Sequence, residues 1–297
     1  MMQYQLLPNS TKDAADIFIL PFAYEQTVSA KGGTKSAPAA ILDATAQIEY
    51  FEEDLLWSPM KHLSVCVLPM IDRYEEVMTT LKSCTIDNNK LLITLGGEHS
   101  ITPMITKQLL HTNSTVIFLD AHADLRSSYK ADKYSHATPA YHLLHQGHKI
   151  VMAGVRSMFE AEYQTIKKNN NITFFSDRAL QNPKTKEEFL KTLATLQGDI
   201  YLSIDMDVFN PACVPGVGTP QPGGFDWYEI TAILQTLFSN NKINLRGVDI
   251  VEMIPDDFSI SQTFAAKLLQ KIISHWGKSK NFDNKEMAGS QMLVEYE

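Results

Sequence analysis

The sequence predicts a doubly wound α/β domain built on eight mainly parallel strands. Apolar segments of strand length recur along the 297 residues, and they are rich in Ile, Val, Leu and Phe with little polar alternation. Such segments are typical of strands that are buried on both faces of a parallel sheet. Segments with helical periodicity separate them, and this alternation favours parallel pairing through crossover helices.

Eight apolar segments are predicted as strands. They span residues 16–22, 64–70, 91–96, 115–120, 149–155, 172–176, 200–205 and 245–251. The helices predicted between and after them span residues 37–50, 75–83, 101–111, 140–146, 160–169, 186–196, 227–239 and 263–276. In the first helix, Pro38 stands in the first turn, where its missing N–H costs little.

The chain contains no internal repeat and no linker long enough to mark a domain boundary. We therefore predict a single domain over residues 1–276, although the length alone is also compatible with two domains. Residues 277–297 are polar and lack periodicity, and we expect them to form a poorly ordered tail.

Charge and composition exclude several classes of function. The chain has 26 Lys and Arg against 34 Asp and Glu, so its formal net charge is −8. No basic block is present to neutralise phosphates, which argues against binding to nucleic acid or to an anionic membrane surface. The N-terminus lacks a signal-peptide pattern, and no apolar run approaches the roughly 20 residues that span a bilayer. The three cysteines form no CxxC motif, so we expect reduced thiols and a cytoplasmic protein.

The chemically unusual residues follow three of the predicted strands. Ligands of parallel α/β sheets bind beyond the carboxyl ends of the strands, which makes these positions the first candidates for a site. All of the side chains concerned are His or Asp: His99 after the third strand, Asp120, His122 and Asp124 after the fourth, and Asp205 and Asp207 after the seventh. Side chains at i, i+2 and i+4 point to one side of an extended backbone, so those of each segment converge if the strand geometry continues.

Each segment alone has an ordinary structural interpretation, because a histidine after paired glycines is often a turn residue and an aspartate after a strand is often a helix N-cap. Together, four Asp and two His at one rim form a costly cluster, since unneutralised carboxylates raise one another's pKa. Two divalent cations carry +4 and cancel the −4 of the four aspartates. An oxygen-rich donor set without thiolate favours Mn²⁺ and leaves Zn²⁺, Co²⁺ and Ni²⁺ open. Two such ions can share a water and lower its pKa.

Five motifs carry a resemblance to a known family. GGEHS, DAHADLR, YSHATP, SIDMDVFNPACVPGVGTPQPGG and GVDIVEM occur in the order and spacing of the ureohydrolases, the family of arginases and agmatinases. The resemblance covers most of the chain, from about residue 24 to about residue 276. GGEHS, DAHADLR and the YSHA segment are more similar to agmatinases. The loop after DAHAD lacks the polar pattern with which arginases hold the α-amino and α-carboxylate groups of their substrate.

The resemblance implies a three-layer α/β/α fold with an eight-stranded, mainly parallel sheet and a centre of two Mn²⁺. Carried over by motif, one ion would be held by His99, Asp120, Asp124 and Asp205, and the other by Asp120, His122, Asp205 and Asp207. Asp120 and Asp205 would bridge the ions, and Asp124 would accept a hydrogen bond from a bridging hydroxide. Family members are commonly trimers or hexamers, so we expect a homo-oligomer.

The same resemblance assigns two further residues. His136, in YSHATP, matches a histidine at the mouth of the cleft, and a histidine near its ordinary pKa can relay a proton to a departing amine. Glu252 matches the carboxylate that pairs with a guanidinium, whose planar fork of N–H donors suits two parallel hydrogen bonds. An exposed loop histidine and a strand-end salt bridge are the alternatives for these two residues. Asp249, on the same strand as Glu252, is expected to be structural.

The activity implied is hydrolysis of agmatine to putrescine and urea, a step of polyamine biosynthesis, by attack of the metal-bridging hydroxide on the guanidinium carbon. Arginine, guanidinobutyrate and formiminoglutamate are alternative substrates, and a substrate carboxylate would need a cationic partner such as Arg126, Lys130 or Lys133. A further alternative is a metal-binding homologue without activity. Asn210 and Gln221 stand where the family usually has Asp and often has Glu, which leaves the substrate open.

Overall fold

A computed structural model describes residues 2–284 of the protein and shows an eight-stranded sheet whose neighbouring strands are all parallel. The strands are β1 (Ile17–Phe22), β2 (Val65–Val67), β3 (Leu91–Gly96), β4 (Thr115–Leu119), β5 (Lys149–Val155), β6 (Ile172–Ser176), β7 (Gly198–Asp205) and β8 (Ile243–Val251). Their order across the sheet is β2-β1-β3-β8-β7-β4-β5-β6. Each of the eight predicted strands is present.

Nine α-helices lie within residues 2–284. They are α1 (Ala37–Ala44), α2 (Tyr74–Lys82), α3 (Thr102–Leu109), α4 (Pro139–His145), α5 (Glu160–Lys168), α6 (Asp177–Leu180), α7 (Pro183–Thr195), α8 (Trp227–Phe238) and α9 (Ile260–Ser279). The unpredicted helix, α6, has four residues, too few to show a helical period. None of the helices in this part of the chain is long and apolar enough to cross a membrane.

The helices cover both faces of the sheet and make three layers. Alternate residues of β1 face opposite sides. Ile17 and Ile19 belong to the apolar core that includes α1, α7, α8 and α9, whereas Phe18 and Leu20 belong to the core that includes α2, α3, α4 and α5. All six residues of β1 are buried, which explains its continuously apolar sequence. The three-layer α/β/α prediction is confirmed.

Several element ends differ from the prediction. The first helix ends at Ala44, because a 3-10 turn follows over Thr45–Gln47 and Ile48 is extended. The last helix continues past residue 276 to Ser279, and Phe282 beyond it is buried. Residues 277–284 of the expected tail therefore have ordered structure, whereas residues 285–297 lie outside the described residues.

The four central strands, β3, β8, β7 and β4, are adjacent in the sheet. Asp249 of β8 is in register with Thr94 of β3 and Ser203 of β7, and Ile204 of β7 is in register with Leu119 of β4. Because these strands are parallel and nearly in register, the segments that follow them open at one edge of the sheet. All of the predicted metal-ligating residues belong to segments at this edge.

Candidate metal centre

Three carboxylates converge on one buried nitrogen of His99. This residue follows β3 and begins the 3-10 turn His99–Ile101. Its Nδ1 lies 3.3 Å from Oδ2 of Asp120, 3.2 Å from Oδ2 of Asp124 and 3.3 Å from Oδ2 of Asp205. Asp120 and Asp124 follow β4, and Asp205 ends β7, so three separate strands supply this group.

His122 and Asp207 form a second group beside the first. Nδ1 of His122 lies 2.9 Å from Oδ2 of Asp207 and 3.8 Å from Oδ1 of Asp120. Donor atoms of His99, Asp120 and Asp205 lie within 4.8 Å of one another, and so do those of Asp120, His122 and Asp207. Because Asp120 belongs to both groups, the arrangement has the form needed to hold two cations side by side. Asp205, expected to bridge as well, belongs only to the group with His99 and Asp120.

The backbone brings Asp124 to the cluster by leaving the strand conformation. β4 ends at Leu119, and Asp124 has a φ of +48°. The strand geometry therefore does not continue from residue 120 to residue 124, and the condition for convergence by strand alternation is not met. After β7, a 3-10 turn over Met206–Val208 replaces the strand, and Asp205 caps it by accepting from the Asp207 N–H at 2.8 Å. Left-handed backbone at a non-glycine residue costs about 1–3 kcal/mol and clusters at functional sites.

In the neutral ring of His99, hydrogen bonds behind the ring leave the lone pair on Nδ1. The Ser203 hydroxyl donates to Oδ1 of Asp249 at 2.6 Å, so Ser203 Oγ can only accept from Nε2–H of His99, at 2.8 Å. Nδ1 of His99 and Oδ2 of Asp120 are buried and have no hydrogen-bond partner. A cation bound between them would satisfy both atoms, so the residues present fit a metal.

The electrostatics of the cluster favour protons wherever no cation is bound. Burial raises the pKa of Asp120 and Asp205, and so does the neighbouring Asp207. Burial and the charge of Asp120 raise the pKa of Asp124 to about 7. Although burial opposes it, the hydrogen bond to Asp207 raises the pKa of His122 to about 10. Metal ligands must be deprotonated, so a cation that binds here displaces protons.

Glu252 lies beside His99 at the edge of the cluster. It follows β8 with a φ of +63°, and its Oε1 accepts from the His99 N–H at 2.7 Å. Burial raises the pKa of its carboxyl to about 8. The side chain lines the same cavity as Asp124, Asp205 and Asp207. Glu252 therefore presents its carboxyl group to a ligand in contact with the cluster.

His136 reaches this cavity from the segment that follows DAHADLR. Its Nδ1 lies 2.8 Å from Thr27 Oγ1, and its Nε2 lies 2.7 Å from Ser29 Oγ. Burial lowers the pKa of His136 to about 4, so the ring is neutral near pH 7. The expectation of a histidine near its ordinary pKa is wrong, because the segment with Thr27 and Ser29 packs against the ring and excludes water.

One cavity of about 380 Å³ connects these groups. Towards the surface, its lining changes from acidic to polar, basic and aromatic residues, including Thr27, Ser29, Lys31, Arg126, Tyr129, His136, Met158, Phe159 and Gln221. The guanidinium carbon of Arg126 lies 5.2 Å from the ring centroids of both Tyr129 and Phe159. The cavity thus has a buried acidic end. At its outer end, the guanidinium of Arg126 lies beside two aromatic rings.

A model of the arginase family matches residues 15–274. The chain belongs to the arginase family. It is 31% identical over 287 residues to the N(1)-aminopropylagmatine ureohydrolase of Synechocystis, covering 91% of this chain and 92% of the relative. It is 32% identical over 279 residues to the agmatinase of Pyrococcus horikoshii, covering 90% and 94%. The crystal structure of the agmatine ureohydrolase of Thermoplasma volcanium matches with a TM-score of 0.80 at 26% identity, covering 95% and 96%.

Two residues depart from the usual pattern of the arginase family, and both keep local contacts. Asn210 Oδ1 accepts from the Ala212 N–H at 2.9 Å. Gln221 contributes its backbone carbonyl, which accepts from Nη2 of Arg156 at 3.2 Å. Arg156 also donates to the carbonyls of residues 207–209 and so holds the turn that carries Asp207. The sequence gives no signal for Arg156, because its partners are backbone atoms.

The residues that support this family member's site were harder to predict than those that line it. Ser203 and Glu98 are fully or almost fully buried, and Thr27 contacts both Glu98 and His136. Glu98 has one visible signal, a carboxylate directly before a predicted metal-ligating histidine. For Thr27 and Ser203, hydroxyl residues are too common for their position alone to indicate a role.

Proposed function

We propose that this member of the arginase family hydrolyses agmatine to urea and putrescine and uses two divalent cations, Mn²⁺ first. Ureohydrolases such as the agmatinase to which it is similar hydrolyse C–N bonds of linear amidines, and the chain is an enzyme of this class. The observation that carries the substrate proposal is one cavity shared by the acidic cluster and the carboxylate of Glu252. A guanidinium held by that carboxylate faces the cluster.

The donors for the cations are the six residues expected from the sequence. They are His99, Asp120, His122, Asp124, Asp205 and Asp207. When bound, two divalent cations supply Lewis-acid activation of water near neutral pH. Carboxylate and imidazole donors without thiolate favour Mn²⁺ among the available ions. The lone pair on Nδ1 of His99 and the unpartnered Oδ2 of Asp120 support this assignment.

The protein side chains orient the substrate and move protons. Glu252 accepts N–H donors of the guanidinium and holds its carbon towards the acidic cluster. Asp124 takes a proton from the attacking water and passes it to the departing nitrogen, which would otherwise leave as a very basic anion. His136, neutral in its pocket, exchanges protons between the cavity and solvent. The anionic cluster attracts a cationic substrate.

N(1)-aminopropylagmatine is the second candidate substrate. The Synechocystis relative, 31% identical, carries that activity in its name. The lining of the cavity of about 380 Å³ includes the exposed side chains of Met158 and Phe159, along which an aminopropyl extension can reach solvent. Both substrates present the same guanidinium to Glu252, so the choice depends on the mouth.

The deciding experiment measures urea released by the Mn²⁺-loaded protein from agmatine, N(1)-aminopropylagmatine, arginine, guanidinobutyrate and formiminoglutamate. The highest kcat/KM for agmatine supports the first proposal, and the highest value for the aminopropyl derivative supports the second. A preference for a substrate that bears a carboxylate contradicts both and directs attention to Arg126. If the protein binds two metal ions but releases no urea from any of these substrates, the result supports a homologue without activity.

A further inference from the structure

We propose that Glu98 is a positioning residue that, through Thr27, determines which nitrogen of His136 carries the proton. The inference rests on the proposed function in so far as His136 exchanges protons during the reaction. Glu98 is 1% exposed. It is not among the six predicted metal ligands, and its carboxylate contacts the segment that covers His136 instead.

Glu98 is surrounded by hydrogen-bond donors. Its Oε2 accepts from the backbone N–H groups of Gln26 and Thr27, both at 2.6 Å. Its Oε1 accepts from Thr27 Oγ1 at 2.9 Å and from Ser100 Oγ at 2.5 Å. Burial raises the pKa of Glu98, but the four donors favour its ionised form, which can only accept, so the hydroxyl proton of Thr27 is directed to Glu98.

Three contacts exhaust the hydrogen-bonding capacity of the Thr27 hydroxyl. Oγ1 donates to Glu98, accepts from the His136 backbone N–H at 3.0 Å and lies 2.8 Å from His136 Nδ1. A hydroxyl has one proton and two lone pairs. Its proton is already given to Glu98, so the hydrogen in the contact with the ring must be on Nδ1. Neutral His136 is therefore the Nδ1–H tautomer.

This tautomer leaves the lone pair of His136 on Nε2. Nε2 lies 2.7 Å from Ser29 Oγ, whose hydroxyl donates to it in preference to the Tyr129 hydroxyl at 3.2 Å, and both Ser29 and His136 line the cavity. A proton taken up or released by the ring is therefore exchanged at Nε2, next to the cavity. The opposite tautomer would place its lone pair on Nδ1, against Thr27 and away from Ser29. Glu98 thus connects the end of β3 to the proton chemistry of a ring contributed by a distant segment.

The test exchanges the acceptor for a donor without changing its shape. In Glu98→Gln, the carbonyl oxygen stays with the two backbone N–H donors, so the amide NH₂ faces Thr27 Oγ1. The Thr27 hydroxyl then accepts from the amide and donates to Nδ1 of His136, which favours the Nε2–H tautomer. The ring ¹⁵N chemical shifts of His136, assigned with His136→Asn in Zn²⁺-loaded protein, report this exchange without any substrate.

Kinetics of the Mn²⁺-loaded enzyme provide the second readout. We expect Glu98→Gln and Thr27→Val each to lower kcat by about tenfold or more with little change in KM, which is part of the roughly 10²- to 10⁴-fold that a positioned proton-transfer group contributes. The double variant should be no slower than the slower single variant, because both act through one hydroxyl. Thr27→Ser keeps the hydroxyl and should retain a kcat close to that of the wild type. His136→Asn should abolish one limb of the plot of kcat against pH. The same limb should move to a different pH in Glu98→Gln and in Thr27→Val.

Ser100→Ala is the matched control. It removes another donor to Glu98 but leaves the contacts of Thr27 intact, so kcat and the pH profile should stay close to those of the wild type. Unchanged ¹⁵N shifts in Glu98→Gln would overturn the inference, as would additive losses or an equal loss in Ser100→Ala. Failure of the proposed function appears differently, as a wild-type enzyme that releases no urea while the tautomer still changes in Glu98→Gln.

Discussion

Within residues 2–284, two clusters of carboxylates differ in what neutralises them. Glu52, Glu53 and Asp54 surround Nζ of Lys271 at 2.6, 3.1 and 2.5 Å. The Lys271 side chain is fully buried. At the carboxyl ends of the central strands, by contrast, three aspartates surround Nδ1 of His99, which carries a lone pair when the ring is neutral, as the contact with Ser203 requires.

Proximity of acids does not distinguish the two clusters, because each brings three donor residues within 4.8 Å. The group at the centre of each cluster distinguishes them. An ammonium donates to all three carboxylates of the first cluster, which is complete as a structural ion cluster. An unprotonated imidazole nitrogen cannot neutralise the aspartates of the second, which needs protons or a metal. The comparison predicts that changes in one cluster affect stability and changes in the other affect metal binding.

The largest expected effect comes from Asp120→Asn combined with Asp205→Asn. We expect bound Mn²⁺ to fall from two per chain to none and urea release to fall to background, because both predicted bridging ligands lose their charge. The metal-free protein should melt no lower than the wild type, since two buried like charges are gone. Metal analysis, urea assays and thermal unfolding measure these outcomes. Asp72→Asn, which alters an exposed carboxylate, is the control, and a double variant that keeps both metals contradicts the assignment.

Lys271→Met should have the opposite pattern. It leaves Glu52 buried without its cation, so the free energy of unfolding should fall by about 3–5 kcal/mol, while metal content per folded chain and kcat are retained. Lys267→Met is the matched control, because Lys267 donates to Glu53 at 2.9 Å from a more exposed position and should cost less than about 1 kcal/mol. Denaturant unfolding measures both. Loss of metal in Lys271→Met would show that the two clusters are coupled.

The sequence predicted the sheet and its connections to the site because both depend on local patterns. Continuous apolar segments marked the strands, and the residues after them carried His99, Asp120 and Asp205. The Lys271 cluster had no such signal. Its acids precede β2 and its lysine lies in α9, so only the folded chain brings them together.

The finer geometry of the site also lay beyond local patterns. Asp124 reaches the cluster through a left-handed backbone rather than strand alternation, and tertiary contacts stabilise that conformation. The lowered pKa of His136 depends on burial by a segment more than 100 residues earlier in the chain. Both features arise from packing between segments, which a single sequence without its fold does not show.

Ser203→Ala sharpens the comparison by removing the acceptor that fixes the tautomer of His99, together with one donor to Asp249. Without the Ser203 hydroxyl, Nε2–H loses its acceptor and the ring can rotate or change tautomer. We expect Mn²⁺ affinity to fall by about 10- to 100-fold with the fold retained, as for other groups that orient metal ligands. Titration calorimetry with Mn²⁺ measures the affinity. Thr102→Val removes a different donor to Asp249 and should bind Mn²⁺ like the wild type; an equal loss in both variants would indicate a general disturbance around β8.

The smallest effect, a shift in melting temperature with pH, should have opposite signs in the two clusters. The pKa of Asp124 is raised to about 7 by burial and by Asp120, and that of His122 to about 10 by the hydrogen bond to Asp207 in spite of burial. Groups with a raised folded-state pKa contribute stability below their unfolded pKa and lose it as the pH rises through the folded value. Metal-free protein should therefore melt at lower temperature as the pH rises from about 6 to about 9.

The Lys271 cluster loses stability in acid instead. Although partial burial opposes it, hydrogen bonds from Lys267 and Lys271 lower the pKa of Glu53 to about 2, so its contribution is present above the ordinary value of 4.5 and is lost as the pH falls towards 2. Bound Mn²⁺ should reverse the fall in melting temperature at alkaline pH, because the cation replaces the protons of the aspartates. It should leave the loss of stability of the Lys271 cluster in acid unchanged over the pH range where Mn²⁺ stays bound. A metal-free melting temperature that stays constant from about pH 6 to about pH 9 would show that the aspartates are neutralised by something other than protons or a metal.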